Sequence, residues 1–350
     1  MSTWRGIRRR IQAATAILML AASVVVPSAV AQTVSAPAQP SSSPPAEPVA
    51  PPPPPLRLIS TSQRGRIADL VARAIAPQLS RSLSREVRVE SHGQDDGRRA
   101  AELLLAAPAD GNTVLIADAR LAALDGGGVR SKGRSALLLP RLVPLARLTE
   151  RPLVLVTGSA QPFRTLDQFV SAARRRRDGI TLAVTAQGGP LHLAGLRLDA
   201  SLGGGLKLVA LPMGGATIAA VLARKAQAAI ATLPTAQDFA HQGHLRILAN
   251  LGASRPAALR SLPTLAERRI PVTASLWTAA FLRRETPAQL QQPLAEALAR
   301  ALAARETATE LKHLQEDAGY LSGEALHAFW QREQEAAAGA RRAAPRHTGR

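Results

Sequence analysis

Three glycine-bearing stretches carry residue types suited to holding an anion. They are Ser60-Thr61-Ser62-Gln63-Arg64-Gly65-Arg66-Ile67-Ala68-Asp69, Thr185-Ala186-Gln187-Gly188-Gly189-Pro190-Leu191-His192 and Pro212-Met213-Gly214-Gly215-Ala216-Thr217. Each follows a short apolar run and leads into a helical pattern. Glycine lets backbone N–H groups approach a ligand, and the positive end of the following helix dipole favours negative charge. Pro190 suits the first turn of its helix, where a missing N–H costs nothing. Convergence of several such ends makes a carboxylate pocket that needs no catalytic group, although a plain turn also explains each glycine loop taken singly. Arg66 either recognises a carboxylate in bidentate fashion or is a solvated loop charge. Asp69 either accepts an ammonium group or a water near the ligand or simply complements the dipole of its helix. His192, on an apolar helix face, reads as structural.

Other chemistry finds little support. The chain has no cysteine, which excludes disulfides, thiolate metal sites and a cysteine nucleophile. His92, Asp95 and Asp96 match no metal loop, and His241 with His244 are too few for zinc. Neither a metal nor a cofactor is expected. The sequence contains no G-x-S-x-G, no G-x-x-x-x-G-K and no G-x-G-x-x-G, so no catalytic residues are expected and the chain does not read as an enzyme. The formal charge of +19 comes from scattered arginines, and aromatics are only 3% of 350 residues. Without a stacking platform, and with Arg174-Arg175-Arg176-Arg177 read as the solvated end of a helix, no nucleic-acid partner is expected.

The elements that must position these stretches come after two segments outside the fold. Arg5, Arg8, Arg9 and Arg10 precede an apolar run from Ala13 to Val26 and then Ala29-Val30-Ala31. This pattern predicts a secretory signal peptide cleaved after Ala31, too short and wrongly flanked for a transmembrane helix. Cleavage removes four arginines and leaves +15. Thr33–Pro55 follows, with ten prolines in 23 residues, and predicts an extended spacer; recognition of the proline run by a partner is the other reading.

From Leu56 onward, strand and helix patterns alternate. Strands are expected at 56–59, 86–90, 113–116, 153–156, 180–184, 206–210, 228–231, 245–249 and 277–282. Helices are expected at 67–83, 98–107, 166–177, 191–202 and 216–225, with another before 245 and helices at 287–302, 307–316 and from Ser322. Residues 122–140 carry no firm pattern. This order implies parallel sheet with right-handed crossovers, an α/β class with two lobes and C-terminal helices packed back on the first. The expected division is 56–152 plus 275–340 for the first lobe, 153–274 for the second and a basic tail at 341–350. Trp277 is expected in the core near the lobe connection.

The order of several motifs resembles the periplasmic receptors of tripartite tricarboxylate transporters, the TctC or Bug-type family, from about Leu56 to about Gly339. Leu56-Arg57-Leu58-Ile59 with Asp69 resembles the family's opening strand and P-x-P-G-G-x-x-D loop. Ala107-Pro108-Ala109-Asp110-Gly111-Asn112-Thr113 resembles A-P-P-D-G-Y-T. Gly188-Gly189-Pro190-Leu191-His192-Leu193-Ala194-Gly195 resembles G-T-x-x-H-L-A-G. Gly243-His244-Leu245-Arg246 and Leu262-Pro263-Thr264 match A-G-K-L-R and V-P-T.

The resemblance implies a two-lobed periplasmic-binding-protein fold, a type II-like hinged clamp that closes on a small carboxylate, with two integral membrane subunits as partners. It implies ligand contacts from Ser62, Gly65, Arg66 and Asp69, from Gln187, Gly188 and Gly189, and from Met213, Gly214, Gly215, Ala216 and Thr217. The chain departs from the family where Arg66 and Ile67 stand in glycine positions, where Met213 replaces an aromatic, and where Ala229 replaces an acid. A receptor of the same fold that signals to a partner, or that has altered or lost binding, is the alternative expectation.

Overall fold

The computed structural model describes residues 53–125, 137–175, 178–212, 214–253, 255 and 259–343. The expected signal peptide, most of the proline-rich spacer, Met213 and the tail beyond residue 343 lie outside them.

The first half begins with β1 (Leu56–Ser60), α1 (Ile67–Leu83), β2 (Val87–Ser91), α2 (Arg98–Ala106) and β3 (Thr113–Asp118). β1 pairs in parallel with both β2 and β3, as the β-α-β-α-β order requires. Every residue of β3 is buried, because helices cover both faces of this central strand. In α1, Val71, Ile75 and Leu79 recur every fourth residue and are buried on the sheet side.

β4 (Leu142–Gly158) runs for 17 residues through both halves of one sheet. The sequence pattern reveals only its second part. Pro144, Arg147, Glu150, Arg151 and Pro152 interrupt the apolar alternation of the first part, and two register shifts against its neighbour accommodate them.

The second half contains α3 (Leu166–Arg175), β5 (Ile180–Thr185), α4 (Pro190–Ser201), β6 (Leu206–Leu211), α5 (Gly214–Leu222), β7 (Ala228–Thr232), α6 (Leu233–His241) and β8 (Leu245–Asn250). Here β5 pairs in parallel with β6 and β7, whereas β7 and β8 run antiparallel to β4. Gly195 lets α4 approach the sheet: a Cβ there would sit 3.0 Å from the side chains of Leu208 and Val184.

The chain then returns as β9 (Ser275–Arg283), which lies between β3 and β4 and is antiparallel to both. α7 (Ala288–Ala303), α8 (Arg305–His313), β10 (Asp317–Leu321) and α9 (Gly323–Ala343) finish the fold. β10 pairs with the first part of β4 and was not expected from the sequence; its five residues, Asp-Ala-Gly-Tyr-Leu, show no apolar alternation and none is buried. The expected 307–316 helix accordingly stops at His313, and Gln315 takes φ 56° to turn the chain.

Leu294, Ala297 and Leu298 of α7 pack on the core under α1, and Leu326, Phe329 and Trp330 of α9 pack around Trp277. The C-terminal helices thus pack on the first half, as expected, and α9 in addition meets α4 of the second half. Two separate apolar clusters fill the second half, one around Phe163 and Phe169 and one around Val154 and Ile218.

Candidate ligand-binding site

The strand register brings the expected loops to one place. Asp118, at the carboxyl end of β3, pairs with Thr278 of β9, and Thr278 pairs with Thr149 of β4. Thr232, at the carboxyl end of β7, pairs with Leu153 of the same β4. The carboxyl ends of the parallel strands of each half therefore face each other across about 13 Å of β4, four residues at the usual rise. Thr185 and Leu211 are register partners at the ends of β5 and β6, so the second and third stretches start side by side. Ends of this kind are where open α/β sheets bind ligands.

The first stretch is held by a buried acid. Asp69 is fully buried and accepts from Gly65 N–H at 2.8 Å, Ser91 Oγ at 2.6 Å and Arg73 Nε at 3.1 Å. Burial alone would raise its pKa, but the bonds from Arg73, Ser91 and Gly65 outweigh it and hold the carboxyl below its ordinary value. The carboxylate faces the chain's own donors. Gly65 takes φ 78°, which favours glycine, and its N–H is spent on Asp69. Arg66 caps α1 with its backbone, and its side chain is exposed.

Ser62 is buried and donates to Asp118 Oδ2 at 3.0 Å. Asp118 is in turn gripped by Arg120, with Nε to Oδ1 at 3.0 Å and Nη2 to Oδ2 at 2.7 Å, and Nη2 also reaches Ser62 Oγ at 3.3 Å. Sequence reasoning missed both Asp118 and Arg120. The available signal was an acid ending an apolar strand with an arginine two residues on.

In the second stretch Gly188 takes φ 82° and donates its N–H to Nδ1 of His192 at 3.2 Å. That bond requires the neutral ring with its proton on Nε2, and burial lowers the histidine pKa in the same sense. Gly189 donates to Ala186 O at 3.0 Å. Both glycine N–H groups are therefore used internally, and the helix geometry leaves the N–H groups of Leu191 and His192 for an anion. Gln187 is exposed. In the third stretch Gly214 opens α5, Gly215 is exposed, Ala216 is half-buried and Thr217 is fully buried.

Beside these ends the 3₁₀ turn Ala119–Ala123 faces α4. Ala119 and Ala122 share a recess with Pro190 and Leu193, and α9 closes its far wall with Ala336 and Ala337. Glu333 of α9 lies in the same recess. It accepts from Trp277 Nε1 at 2.8 Å, while Arg197 of α4 donates to Thr273 O at 2.9 Å. Burial raises the Glu333 pKa; Trp277, Arg197 and Arg332 oppose this and Glu150 reinforces it.

Folding therefore favours protonated Glu333. Its contribution to stability is greatest below the ordinary carboxylate range and declines as pH rises through the raised folded value. Glu333→Gln keeps an acceptor for Trp277 and removes the buried charge. Urea unfolding should find this variant more stable than the wild type at pH 8, with the gap narrowing toward pH 4.5. A constant gap would contradict the linkage.

Among the described residues no group of three or more His, Asp or Glu is placed to hold a metal ion, and no helix is long and apolar enough to cross a membrane.

A family model described as the tripartite tricarboxylate transporter family receptor, TctC, matches residues 71–339. The chain belongs to this family. The match starts just after the first stretch. Protein BugT of Bordetella pertussis is 27% identical over 233 residues, 66% of this chain and 71% of the relative. The solved TctC solute-binding protein from Polaromonas, without ligand, superposes with a TM-score of 0.74 at 20% identity, covering 82% of this chain and 97% of that one. An R. palustris protein solved with adipate superposes at 0.61 with 21% identity, covering 83% and 97%. The two-lobed fold expected from the sequence is that of these TctC neighbours. TctC proteins are periplasmic solute-binding receptors that work with membrane transporter subunits.

Proposed function

We propose that this chain is exported, loses its signal peptide after Ala31, and captures a small carboxylate between lobes 56–152 plus 275–340 and 153–274. It delivers that ligand to the two integral membrane subunits of a tripartite tricarboxylate-type transporter. The observation that carries the reading is the meeting of the strand ends of both halves over Thr149–Leu153 of β4. The N-termini of α1, α4, α5 and α6 begin at those ends, so their dipoles favour an anion there without any catalytic group. Ser62, Gly65, Arg66 and Asp69 form the first wall, with Asp69 shaping the loop from beneath. Gln187, Gly188, Gly189, Gly214, Gly215, Ala216 and Thr217 form the second; Met213, named with them from the sequence, lies outside the described residues. The adipate-bound neighbour supports a dicarboxylate as the first acid to try.

Native mass spectrometry of the protein purified from the periplasm should show a co-purifying small acid. Calorimetry should then give heat with dicarboxylates and none with the corresponding diesters. Small-angle scattering should show compaction on saturation. A mature chain that still begins at Met1 contradicts export. Absence of heat with succinate-like, amino and aromatic acids contradicts the receptor reading and favours a chain that keeps the fold without the ligand.

A further inference from the structure

We propose that Arg120 is the group of the first lobe that selects a ligand's second carboxylate, with Asp118 and Ser62 as its positioning residues. This rests on the receptor reading given above and adds to it a residue and a selectivity.

Arg120 and Arg66 both lie at strand-end loops of the first half, but they differ in how they are held. Arg66 is exposed and has no side-chain capping bond, so binding through it must order a long, free side chain. Arg120 is already ordered. Its Nε and Nη2 fork onto both oxygens of Asp118, and Nη2 also touches Ser62 Oγ. Asp118 accepts as well from the Arg120 backbone N–H at 3.0 Å, so backbone and side chain of the arginine are fixed by one carboxylate. Asp118 is nearly buried and Ser62 fully so, while the Arg120 side chain keeps 41% of its surface exposed. The buried members are the anchor and the exposed member is the one a solute meets.

The fork uses one edge of the guanidinium. The two N–H groups of Nη1 take part in none of these bonds, so they remain as charged donors for a second carboxylate. The location fits as well. Ala119 and Ala122, on either side of Arg120, face Pro190 and Leu193 at the start of α4 across the recess. Arg120 itself is turned away from that lining toward Ser62 and Asp118 at the strand ends of the first half, so a ligand with one carboxylate at the α4 and α5 N-termini meets it only by extending its other end to those strand ends. A pre-ordered donor costs less conformational entropy on binding than a free one, which is why Arg120 rather than Arg66 sets selectivity.

The test compares succinate and adipate with their monomethyl esters, which keep the chain and lose one charge. Calorimetry on the wild type gives the ratio of diacid to monoester affinity. Arg120→Gln should lower that ratio roughly tenfold or more, the loss expected for a charged hydrogen bond, while monoester binding changes little. Arg300→Gln removes the same charge from an exposed position on α7 and should leave the ratio unchanged.

Asp118→Asn separates holding from charge. It deletes a negative charge beside the ligand, which by itself would strengthen anion binding. If the fork must be held, diacid affinity falls nonetheless; a rise would overturn the positioning role. Equal losses of diacid and monoester in Arg120→Gln would overturn the selectivity and leave the receptor reading standing. No heat from the wild type with any acid would remove both.

Discussion

Trp277→Ala is expected to destabilise the protein by about 4 kcal/mol, in the range for truncating a buried tryptophan. Trp277 is 2% exposed and sits on β9 in the middle of the sheet. The indole packs edge-on against Trp330 at 6.0 Å and Phe329 at 5.7 Å, and Phe281 meets Trp330 at 4.9 Å. A chain with only nine aromatic residues thus gathers four of them at one contact between β9 and α9. Truncation loses the apolar burial, leaves a cavity that the rigid sheet cannot close, and removes the indole N–H from Glu333. The last loss strands a buried carboxylate. Trp277→Phe, which keeps most of the volume but not the donor, should fall between the two, and the double variant with Glu333→Gln should recover part of the difference. Chemical denaturation of the four proteins at pH 7.5 measures this. A loss below 1 kcal/mol for Trp277→Ala would mean that α9 is not anchored there.

The second large effect is expected at Asp69. Asp69→Ala removes a fully buried acceptor of bonds from Gly65, Ser91 and Arg73 and leaves those donors without a partner. Loss of charge-assisted bonds from a buried acid costs about 3 kcal/mol. Asp69→Asn is not a mild change, because its amide N–H₂ must face one of three donors. The sign with pH is opposite to that of Glu333. The folded pKa is lowered, so the contribution is present above the ordinary carboxylate range and disappears as pH falls through the folded value. The stability gap between wild type and Asp69→Ala should therefore shrink in acid. Ligand affinity should drop too, because Asp69 fixes Gly65 in its positive-φ turn. A variant that keeps full stability but loses binding would instead assign Asp69 to direct ligand contact.

Much of this arrangement was legible in the sequence. The apolar runs of β1, β3, β5 and β7 are buried on both faces and read as strands without any neighbour in view. The glycine loops could be placed at strand ends because strand and helix periodicity changes across them. What stayed hidden depends on partners far along the chain. The first part of β4 breaks alternation, and the register shifts that accommodate the break are made against β9, more than 120 residues away. β10 has no buried residue and no apolar alternation, and is a strand only because β4 offers it an edge. Arg120 looks like any surface arginine until Asp118 at the end of β3 and Ser62 in the loop after β1 are seen to meet around it. Asp69 was legible as an acid in a first helical turn, but not as the carboxylate that Ser91 of β2 buries.

The seating of β9 between β3 and β4 also governs the order in which the chain can assemble. β3 and β4 are consecutive strands of the sheet in sequence, yet they never touch as neighbours; each waits for residues 275–283. On the export proposed above, with the chain crossing unfolded and amino end first, the edge of Thr113–Asp118 that β9 covers stays bare until residues 275–283 have emerged. Non-local pairing of this kind slows folding, and an open apolar edge invites pairing with another chain. Newly exported protein should thus depend on a holding chaperone until its C-terminal quarter arrives, and a chain truncated before Ser275 should aggregate instead of yielding a stable half.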